Sequence, residues 1–251
     1  VKANAYGHGA VEFASMMQRA GADYLAVALP LAGVELRRAG ISLPILVLTA
    51  GTDFFDEIIS NHLEPGIPNI ETLRAFRSEL SRRGISRYPI HIKLDTGMHR
   101  LGFMASELEA LKAEAGPEVE VRSIYSHLAV AEDPQMDSCT MAQFELFERM
   151  CSQLPFDHAM RHILNSAGIE RFPQYQYDMV RLGIGIYGVS ALPDVKLAPV
   201  ASLKVKVLQI KKLKEGDGTI GYGRWGKVAP TGTTIATIPV GYADGLDRHL
   251  G

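Results

Sequence analysis

The chain has 251 residues, of which 47% are hydrophobic and 22% charged, and its formal net charge is −2. This composition is typical of a globular protein built as one large barrel, or as one large and one small domain. The small net charge offers no basic field to nucleic acid, and no apolar run reaches the roughly 20 residues of a membrane helix, so we expect neither partner. The only cysteines, Cys139 and Cys151, are too few for a disulfide framework, which favours reduced thiols and a cytoplasmic location.

The two ends of the sequence favour a piece of a longer chain. Val1 has no initiator methionine before it, and it reads as the middle of a strand. Gly251 comes just after another strand-like run. We therefore expect further residues on both sides, and a fused second enzyme stays open.

Strand-like and helix-like segments alternate through most of the chain. Apolar runs predict a strand that ends at Lys2 and further strands over residues 24–28, 43–48, 63–66, 89–95, 119–127, 162–164 and 178–182. Helical spacing predicts helices over residues 8–20, 30–38, 53–60, 69–80, 105–115 and 142–153, with a short one from Ser166. This alternation predicts an α/β fold with a parallel sheet, and eight strands favour a (β/α)8 TIM-type barrel over residues 1–197. An open doubly wound sheet is the alternative, although no G-x-G-x-x-G motif follows an early strand.

The pattern changes after Pro193. Residues 203–210 alternate polar and apolar, as a half-exposed strand does, and residues 234–239 read as another strand. We therefore predict that a second, mostly β domain occupies residues 198–251.

Polar and charged residues gather where the predicted barrel strands end. Active sites of such barrels lie at the carboxyl ends of the strands. The residues found there are Lys2, Lys93, Asp95, Arg100, His127, Asn165, Ser166, Arg181 and Gly183.

Two of these positions predict a phosphate pocket. Ser166 opens a helix and Gly183 lies in a glycine-rich turn, after the last two strands, where barrels commonly hold phosphate. A helix-capping serine and a packing glycine are the structural alternative. A lysine that faces a phosphate-bearing ligand suggests a covalent bond from Lys2 to pyridoxal phosphate. The eight histidines show no zinc-ligand spacing, so no metal site is predicted.

Seven segments resemble motifs of the alanine racemases, which are fold-type III pyridoxal phosphate enzymes. They are residues 1–9, 93–103, 126–129, 165–167, 180–188, 221–223 and 240–245. The motifs occur in the family's order and span nearly the whole chain, so together they are highly specific.

The resemblance implies a role for each matching residue. Lys2 would bind the cofactor covalently and serve as the base on one face of the substrate, and Tyr222 would be the base on the other. Arg100 would reach the cofactor's phenolic oxygen and the substrate carboxylate, Lys93 would be carbamylated and orient Arg100, and Tyr242 would line the entrance. The remaining cofactor contacts would come from Tyr6, Ser166, Gly183 and Ile184 at the phosphate, from His127 at the ring, from Arg181 at the pyridine nitrogen, and from Asn165.

The implied chemistry agrees with physical expectation. Racemisation removes a proton from one face of Cα and returns one to the other, so it requires two bases on opposite sides of a planar cofactor. A tyrosine titrates near 10, so Tyr222 would need nearby cations to act at neutral pH. Arg181 cannot give up its proton, so it should leave the pyridine nitrogen unprotonated and disfavour transamination and decarboxylation.

The resemblance further implies an L-alanine and D-alanine racemase that supplies D-alanine for peptidoglycan, acting as a head-to-tail homodimer with shared sites. The alternatives are a racemase for serine or another amino acid, a fold-type III amino-acid decarboxylase, and a non-catalytic carrier of the cofactor. Arg181 argues against the decarboxylase, which places a carboxylate at the ring nitrogen. The predicted second domain argues against the carrier, which is a bare barrel.

Overall fold

The computed structural model describes residues 1–247 and residue 249, and it divides the chain into two compact units, residues 1–199 and residues 200–251. The first unit begins with a single helical turn, α1, at Ala3–Tyr6. Its other helices are α2 (Ala10–Arg19), α3 (Pro30–Arg38), α4 (Phe55–Ser60), α5 (Ile70–Arg82), α6 (Leu108–Glu114), α7 (Asp137–Cys151) and α8 (Ser166–Arg171). Its strands are β1 (Leu25–Val27), β2 (Ile45–Val47), β3 (Glu64–Ile67), β4 (Tyr88–Lys93), β5 (Val119–Tyr125) and β6 (Met160–His162).

These six strands form one parallel sheet in the order β1-β2-β3-β4-β5-β6. Sequential order and a helix between consecutive strands are the signature of a sheet that curls toward a barrel. The sequence-based prediction of an α/β fold with a parallel barrel-like sheet is confirmed.

Two of the eight predicted strands are not strands among the described residues. Val1 lies beside β1, where its amino group donates to the carbonyl of Ala26 at 2.7 Å, but no ladder follows. Residues 178–182 lie beside β6, and the amide of Asp178 donates to the carbonyl of Arg161 at 3.1 Å. The return bond from the Arg161 amide goes to the Asp178 carboxylate at 2.8 Å instead of to a backbone carbonyl. The side chain thereby replaces a rung of the ladder, so the prediction of a strand at 178–182 is wrong.

The core lies between the sheet and the helices. Helix α5 shows why these elements form: Asn69 caps it by accepting from the Thr72 amide at 2.8 Å, and Leu73, Phe76 and Leu80 form its buried face. Gly66 in β3 is required by close packing, because the hydroxyl of Tyr125 occupies the space that a Cβ would need.

The second unit is built from short antiparallel pairs. Strand β7 (Gln209–Leu213) pairs with β10 (Thr233–Thr237), and β8 (Thr219–Ile220) pairs with β9 (Gly226–Lys227). The predicted strand over 203–210 is mostly wrong, because residues 203–208 have no partner strand in the described part of the chain. Alternation of polar and apolar residues does not suffice where no neighbouring strand accepts the backbone hydrogen bonds. No helix in the described part of the chain is long and apolar enough to span a membrane.

Candidate active site

The candidate site begins with a left-handed turn that follows Lys2. All four residues of α1 have φ between 51° and 55°, a region that costs about 1–2 kcal/mol per residue for an L-amino acid. Backbone, side-chain and ring contacts hold the turn. The Tyr6 amide donates to the carbonyl of Lys2 at 3.1 Å, the Asn4 carboxamide accepts from the Ala10 amide at 2.7 Å, and the Tyr6 ring lies 5.0 Å from that of Tyr187. The side chain of Lys2 is exposed, with its Nζ 5.7 Å from the Tyr6 ring.

The predicted phosphate pocket consists of Tyr6, Ser166 and the 183–185 turn. The hydroxyl oxygen of Ser166 accepts hydrogen bonds from the amides of Gly183 at 3.0 Å and Gly185 at 3.1 Å. A Cβ at Gly183 would lie 3.5 Å from the Tyr6 hydroxyl and 3.6 Å from that of Ser166, so any side chain there would fill the space between the two hydroxyls. Ile184, next in the chain, is 39% exposed.

Asn165 positions Ser166 rather than the pocket directly. It is the N-cap of α8, where its side-chain oxygen accepts from the Gly168 amide at 2.9 Å. Asn165, and not Ser166, therefore caps the helix. The Ser166 hydroxyl faces the glycine turn.

The positive charges of four residues act on His127. Burial, together with Arg181, Arg100, Lys93 and Lys2, lowers the pKa of His127 to about 3. The imidazole is therefore neutral throughout the physiological range and presents a flat, uncharged ring among positive charges. The structure thus brings together five side chains that the sequence placed at four different strand ends.

Lys93 is a buried amine in a cationic environment. Burial, Arg100 and Arg181 lower its pKa from the ordinary 10.5 to about 8, against an opposing effect of Asp95. Its amine makes no hydrogen bond or ion pair with any residue that the structure describes, and Nζ lies 5.9 Å from the Tyr125 ring.

A short loop after Lys93 carries Arg100, whose charge acts on this amine. The Asp95 carboxylate accepts from the amides of Gly97 and His99, both at 3.0 Å, and the Phe103 amide donates to the Lys93 carbonyl at 2.8 Å. Gly102 permits the return, because it has φ of 130° and a Cβ there would lie 2.6 Å from the backbone of Leu94 and Asp95. The guanidinium of Arg100 is left exposed at the tip of the loop.

Arg181 is the most tightly held cation. Its Nη1 lies 2.5 Å from His162 Nδ1 and 3.3 Å from the His162 carbonyl. Its Nη2 donates to the carbonyls of Ser126 at 2.5 Å and Ile163 at 3.1 Å, and lies 3.2 Å from His127 Nδ1. Its Nε–H makes no hydrogen bond within the described residues, so one donor of a rigid guanidinium stays available for an acceptor.

Sequence reasoning missed two residues that support the site. Gln143 on α7 donates to the carbonyl of His127 at 3.1 Å and accepts from the Ala129 amide at 2.9 Å, which fixes the strand end carrying the imidazole. Tyr187 packs on Tyr6 and stacks on His8 at 4.7 Å. A polar residue on the apolar face of α7 was the available signal for Gln143. Tyr187 lies within the motif at residues 180–188, but the resemblance implied no role for it.

The two tyrosines predicted from the second unit lie on its surface. Tyr222 is fully exposed and follows Gly221, whose φ is 76°, and Tyr242 is 75% exposed. The pairing of Tyr222 with Lys2 stays a prediction. No group of three or more potential metal-ligating side chains occurs within residues 1–247 and 249.

A curled parallel α/β sheet with two lysines, two arginines and a neutral histidine at its strand ends, followed by a short β part, defines a class of barrel proteins with a strongly cationic site. The sequence profile of the alanine racemase N-terminal domain matches residues 1–191, and that of the C-terminal domain matches residues 200–251. The chain belongs to the alanine racemase family.

Individual relatives agree with this assignment. The chain is 37% identical to an alanine racemase of Sorangium cellulosum and 40% identical to one of Symbiobacterium thermophilum; each match covers the whole chain and 68% of the relative. The solved structure of alanine racemase from Clostridium difficile 630 superimposes with a TM-score of 0.84 at 34% identity, over 98% of this chain and 67% of that one.

Proposed function

We propose that this protein interconverts L-alanine and D-alanine with pyridoxal phosphate as its cofactor, and so supplies D-alanine for peptidoglycan in the cytoplasm. The observation that carries the proposal is the convergence of Lys2, Lys93, Arg100 and Arg181 around the neutral His127, beside the Ser166–Gly183 pocket. Membership of the family supports the same reaction. The free thiols of Cys139 and Cys151 suit a reducing compartment.

The residues fit this cofactor in three places. The space between the hydroxyls of Tyr6 and Ser166 at Gly183 suits a phosphate, because Ser166 Oγ accepts from two amides and so keeps its own proton, like that of Tyr6, to donate. The flat, neutral ring of His127 suits packing against an aromatic heterocycle. The Nε–H of Arg181 suits the lone pair of an unprotonated ring nitrogen.

Each residue then has a defined task. The bound cofactor supplies an electron sink that makes the Cα proton of an amino acid acidic. Lys2 would accept or return that proton at Nζ on one face, and the Tyr222 hydroxyl would do so on the other. Arg100 holds the substrate carboxylate through its guanidinium. Arg181, which cannot release its proton, keeps the ring nitrogen unprotonated and limits side reactions.

Lys93 is proposed to carry a carbamate. Its lowered pKa leaves a much larger neutral fraction at pH 7 than an ordinary lysine has, and only the neutral amine attacks carbon dioxide. The Nζ–C bond forms as Nζ loses one proton, and the group becomes an anion. Such an anion would replace repulsion from Arg100 and Arg181 by attraction, and would orient Arg100. Intact-mass measurement after trapping of the carbamate by alkylation is the test, with Lys112, which pairs with Glu109, as the internal control.

The working form is proposed to be a head-to-tail homodimer in which Tyr222 serves the Lys2 of the other subunit. If so, mixing inactive Lys2→Ala protein with inactive Tyr222→Phe protein should restore activity, since half of the dimers would be hybrids with one complete site. The expected recovery is about one quarter of the parent activity, from the symmetry of a closed dimer. No recovery on mixing would exclude shared sites.

The decisive experiment for the reaction is a D-amino-acid assay on the full chain with a panel of L-amino acids, including alanine and serine. Turnover of alanine that is lost in Lys2→Ala, and kept in the exposed-surface variant Lys212→Ala, would establish the reaction and the nucleophile. Release of carbon dioxide without racemisation would identify a decarboxylase instead. A visible absorbance band that borohydride removes is the inexpensive preliminary test of covalent cofactor binding.

A further inference from the structure

Five side chains inside the sheet form one continuous run of hydrogen bonds that ends on Arg181. Glu64 Oε2 lies 2.8 Å from His91 Nε2, and His91 Nδ1 lies 2.6 Å from Ser123 Oγ. Ser123 Oγ lies 2.8 Å from His162 Nε2, and His162 Nδ1 contacts Arg181 Nη1. The residues come from β3, β4, β5 and β6 and from the segment after them, so the run crosses the interior of the sheet.

We propose that Glu64 is a positioning residue for the reaction, which acts on Arg181 through His91, Ser123 and His162 and so fixes the guanidinium that meets the cofactor ring. This inference rests on the proposed function for its consequence at the cofactor. The run of hydrogen bonds from Glu64 to Arg181, the buried relay, exists independently of that function.

The chemistry of the two ends gives the run a single direction. A guanidinium can only donate, so Arg181 Nη1–H donates to His162 Nδ1, and His162 therefore carries its proton on Nε2. That proton goes to Ser123 Oγ, whose own proton goes to His91 Nδ1, and His91 Nε2–H goes to the Glu64 carboxylate. The opposite direction would place two N–H groups against each other at Arg181, which excludes it.

The carboxylate end is fixed as an acceptor. Tyr24 and His91 both contact the same oxygen of Glu64, at 3.1 Å and 2.8 Å, so this oxygen accepts two hydrogen bonds. Burial and the charge of Glu64 raise the pKa of Tyr24 to about 12, so its hydroxyl keeps its proton and donates. A run that begins on a cation and ends on an anion polarises every bond in the same sense, and each bond strengthens the next.

Ser123, His91 and Glu64 also have the contacts of a hydrolytic Ser-His-acid triad, but the burial excludes that reading. Ser123, His91 and His162 are all 0% exposed, so no substrate can reach the hydroxyl. A second histidine occupies the other side of the hydroxyl, where a substrate carbonyl would have to lie. The group is therefore structural and electrostatic support for Arg181.

The relay explains how Arg181 is oriented. His162 is neutral, since burial and Arg181 lower its pKa well below the usual range, and its ring stacks on Tyr125 at 5.2 Å with an interplanar angle of 6°. The acceptor nitrogen of this fixed ring captures Nη1, while backbone carbonyls capture Nη2. Because both Nη atoms are held in this way, the protein itself fixes the direction of the Nε–H group of Arg181 before any ligand binds.

The test is a double-mutant cycle with Glu64→Gln and Ser123→Ala. Glu64→Gln removes the charge and keeps the shape, and Ser123→Ala cuts the relay at its centre. The matched control is Thr140→Val, which removes another fully buried hydroxyl, one on α7 that makes no hydrogen bond among the described residues. Should Ser123→Ala not fold, Ser123→Cys, whose thiol is a weak donor and acceptor, gives the same comparison.

The first readout is the ¹⁵N chemical shift of His162 in histidine-labelled protein without cofactor. We expect Glu64→Gln to move the His162 Nδ1 signal in the Ser123 background and to leave it unchanged in the Ser123→Ala background, with Thr140→Val behaving as the parent. Equal movement in both backgrounds, or none in either, would overturn the relay.

The second readout is the affinity of the protein for pyridoxal phosphate and the absorbance maximum of the bound cofactor. We expect Glu64→Gln to raise Kd several-fold and shift the band, and to have less than a twofold effect once Ser123→Ala is present. A relay seen by ¹⁵N shifts without any change in Kd or absorbance would overturn the positioning role. Absence of cofactor binding in the parent would instead defeat the proposed function and leave the ¹⁵N result standing.

Discussion

The two units of the molecule differ in what their strands bury. Strands β2 and β3 are buried at every residue, and β4 at all but one, so the first unit encloses its chemistry inside a packed sheet. In the second unit none of the described residues is buried; Ile210 of β7 is 62% exposed and Trp225 is 87% exposed. Both units have regular strand pairing, so pairing alone does not make a core.

The difference separates two kinds of functional residue. Lys93, His127 and Arg181 owe their altered pKa values to burial in the first unit, which tunes them without any ligand. Tyr222 and Tyr242 have large exposed fractions, so any tuning of these tyrosines has to come from what they contact in the working assembly. The four experiments below test this contrast, beginning with the largest expected effect.

Tyr222→Phe separates the two units by function. We expect kcat for racemisation to fall by about 10²–10⁴, the usual contribution of a positioned acid-base group, while the Kd for pyridoxal phosphate changes less than twofold. The reason is that the proposed cofactor contacts all belong to the first unit. A parallel loss of cofactor affinity would show that the second unit helps to build the cofactor site. Tyr175→Phe is the control, because it changes a tyrosine inside the first unit.

Phe76→Ala tests the packed core. Phe76 is 0% exposed and makes edge contacts with Phe55 at 4.9 Å and Tyr88 at 5.4 Å, so its truncation should cost about 3–5 kcal/mol of unfolding free energy. Ile210→Ala in the second unit should change it by less than about 0.5 kcal/mol. Urea unfolding followed by circular dichroism reports the helices of the first unit, and fluorescence of Trp225, the only tryptophan, reports the second.

Lys93→Met tests the buried charge. The pKa of Lys93 is lowered to about 8 in the folded protein, so the folded state is penalised below pH 8 and the penalty disappears as the pH rises from 8 to 10.5. In buffer free of carbon dioxide, the substitution should therefore stabilise the protein at pH 7 by on the order of 3 kcal/mol, and this gain should shrink toward pH 10.5.

The exposed Lys212 provides the matched control for that experiment. Lys212→Met should leave the unfolding free energy unchanged at every pH, because Lys212 is exposed on its strand and folding removes little water from its amine. A gain from Lys93→Met that did not vary with pH would contradict the burial of a charged amine.

Asn69→Ala gives the smallest effect. Loss of the bond to the Thr72 amide at the start of α5 should destabilise the first unit by about 1 kcal/mol. Asp217→Ala removes a similar bond, to the Lys214 amide at 2.7 Å, from an exposed turn of the second unit and should cost only a few tenths. Thermal unfolding of both variants and of the parent would show whether local hydrogen bonds matter more where a core surrounds them.

Much of the first unit could be predicted from sequence, because apolar runs and helical spacing are local signals. Residues at strand ends, such as Lys93 and Arg181, could be assigned to one site since parallel strands end at one edge. The strand at 178–182 could not be judged, because a side chain of Asp178 replaces a backbone acceptor there. For the second unit, alternation at 203–208 predicted a strand whose partner the sequence could not reveal.

The buried relay was not predictable for a different reason. Glu64 lies in a short strand with proline and glycine, and His91, Ser123 and His162 each read as isolated polar residues in apolar segments. Only the parallel register aligns them, since Gly66 pairs with His91 and His91 with Ser123. A chain of partners drawn from four strands has no signal at any one position.

The left-handed turn at residues 3–6 has a consequence for the order in which the protein folds. A right-handed helix can form from local contacts alone, whereas this turn is unfavourable until Tyr187 packs on Tyr6 and His8. Those contacts join the first residues of the chain to the last part of the same unit. We therefore expect the turn that directs Lys2 to form late in the folding of the first unit, once Tyr187 is in place.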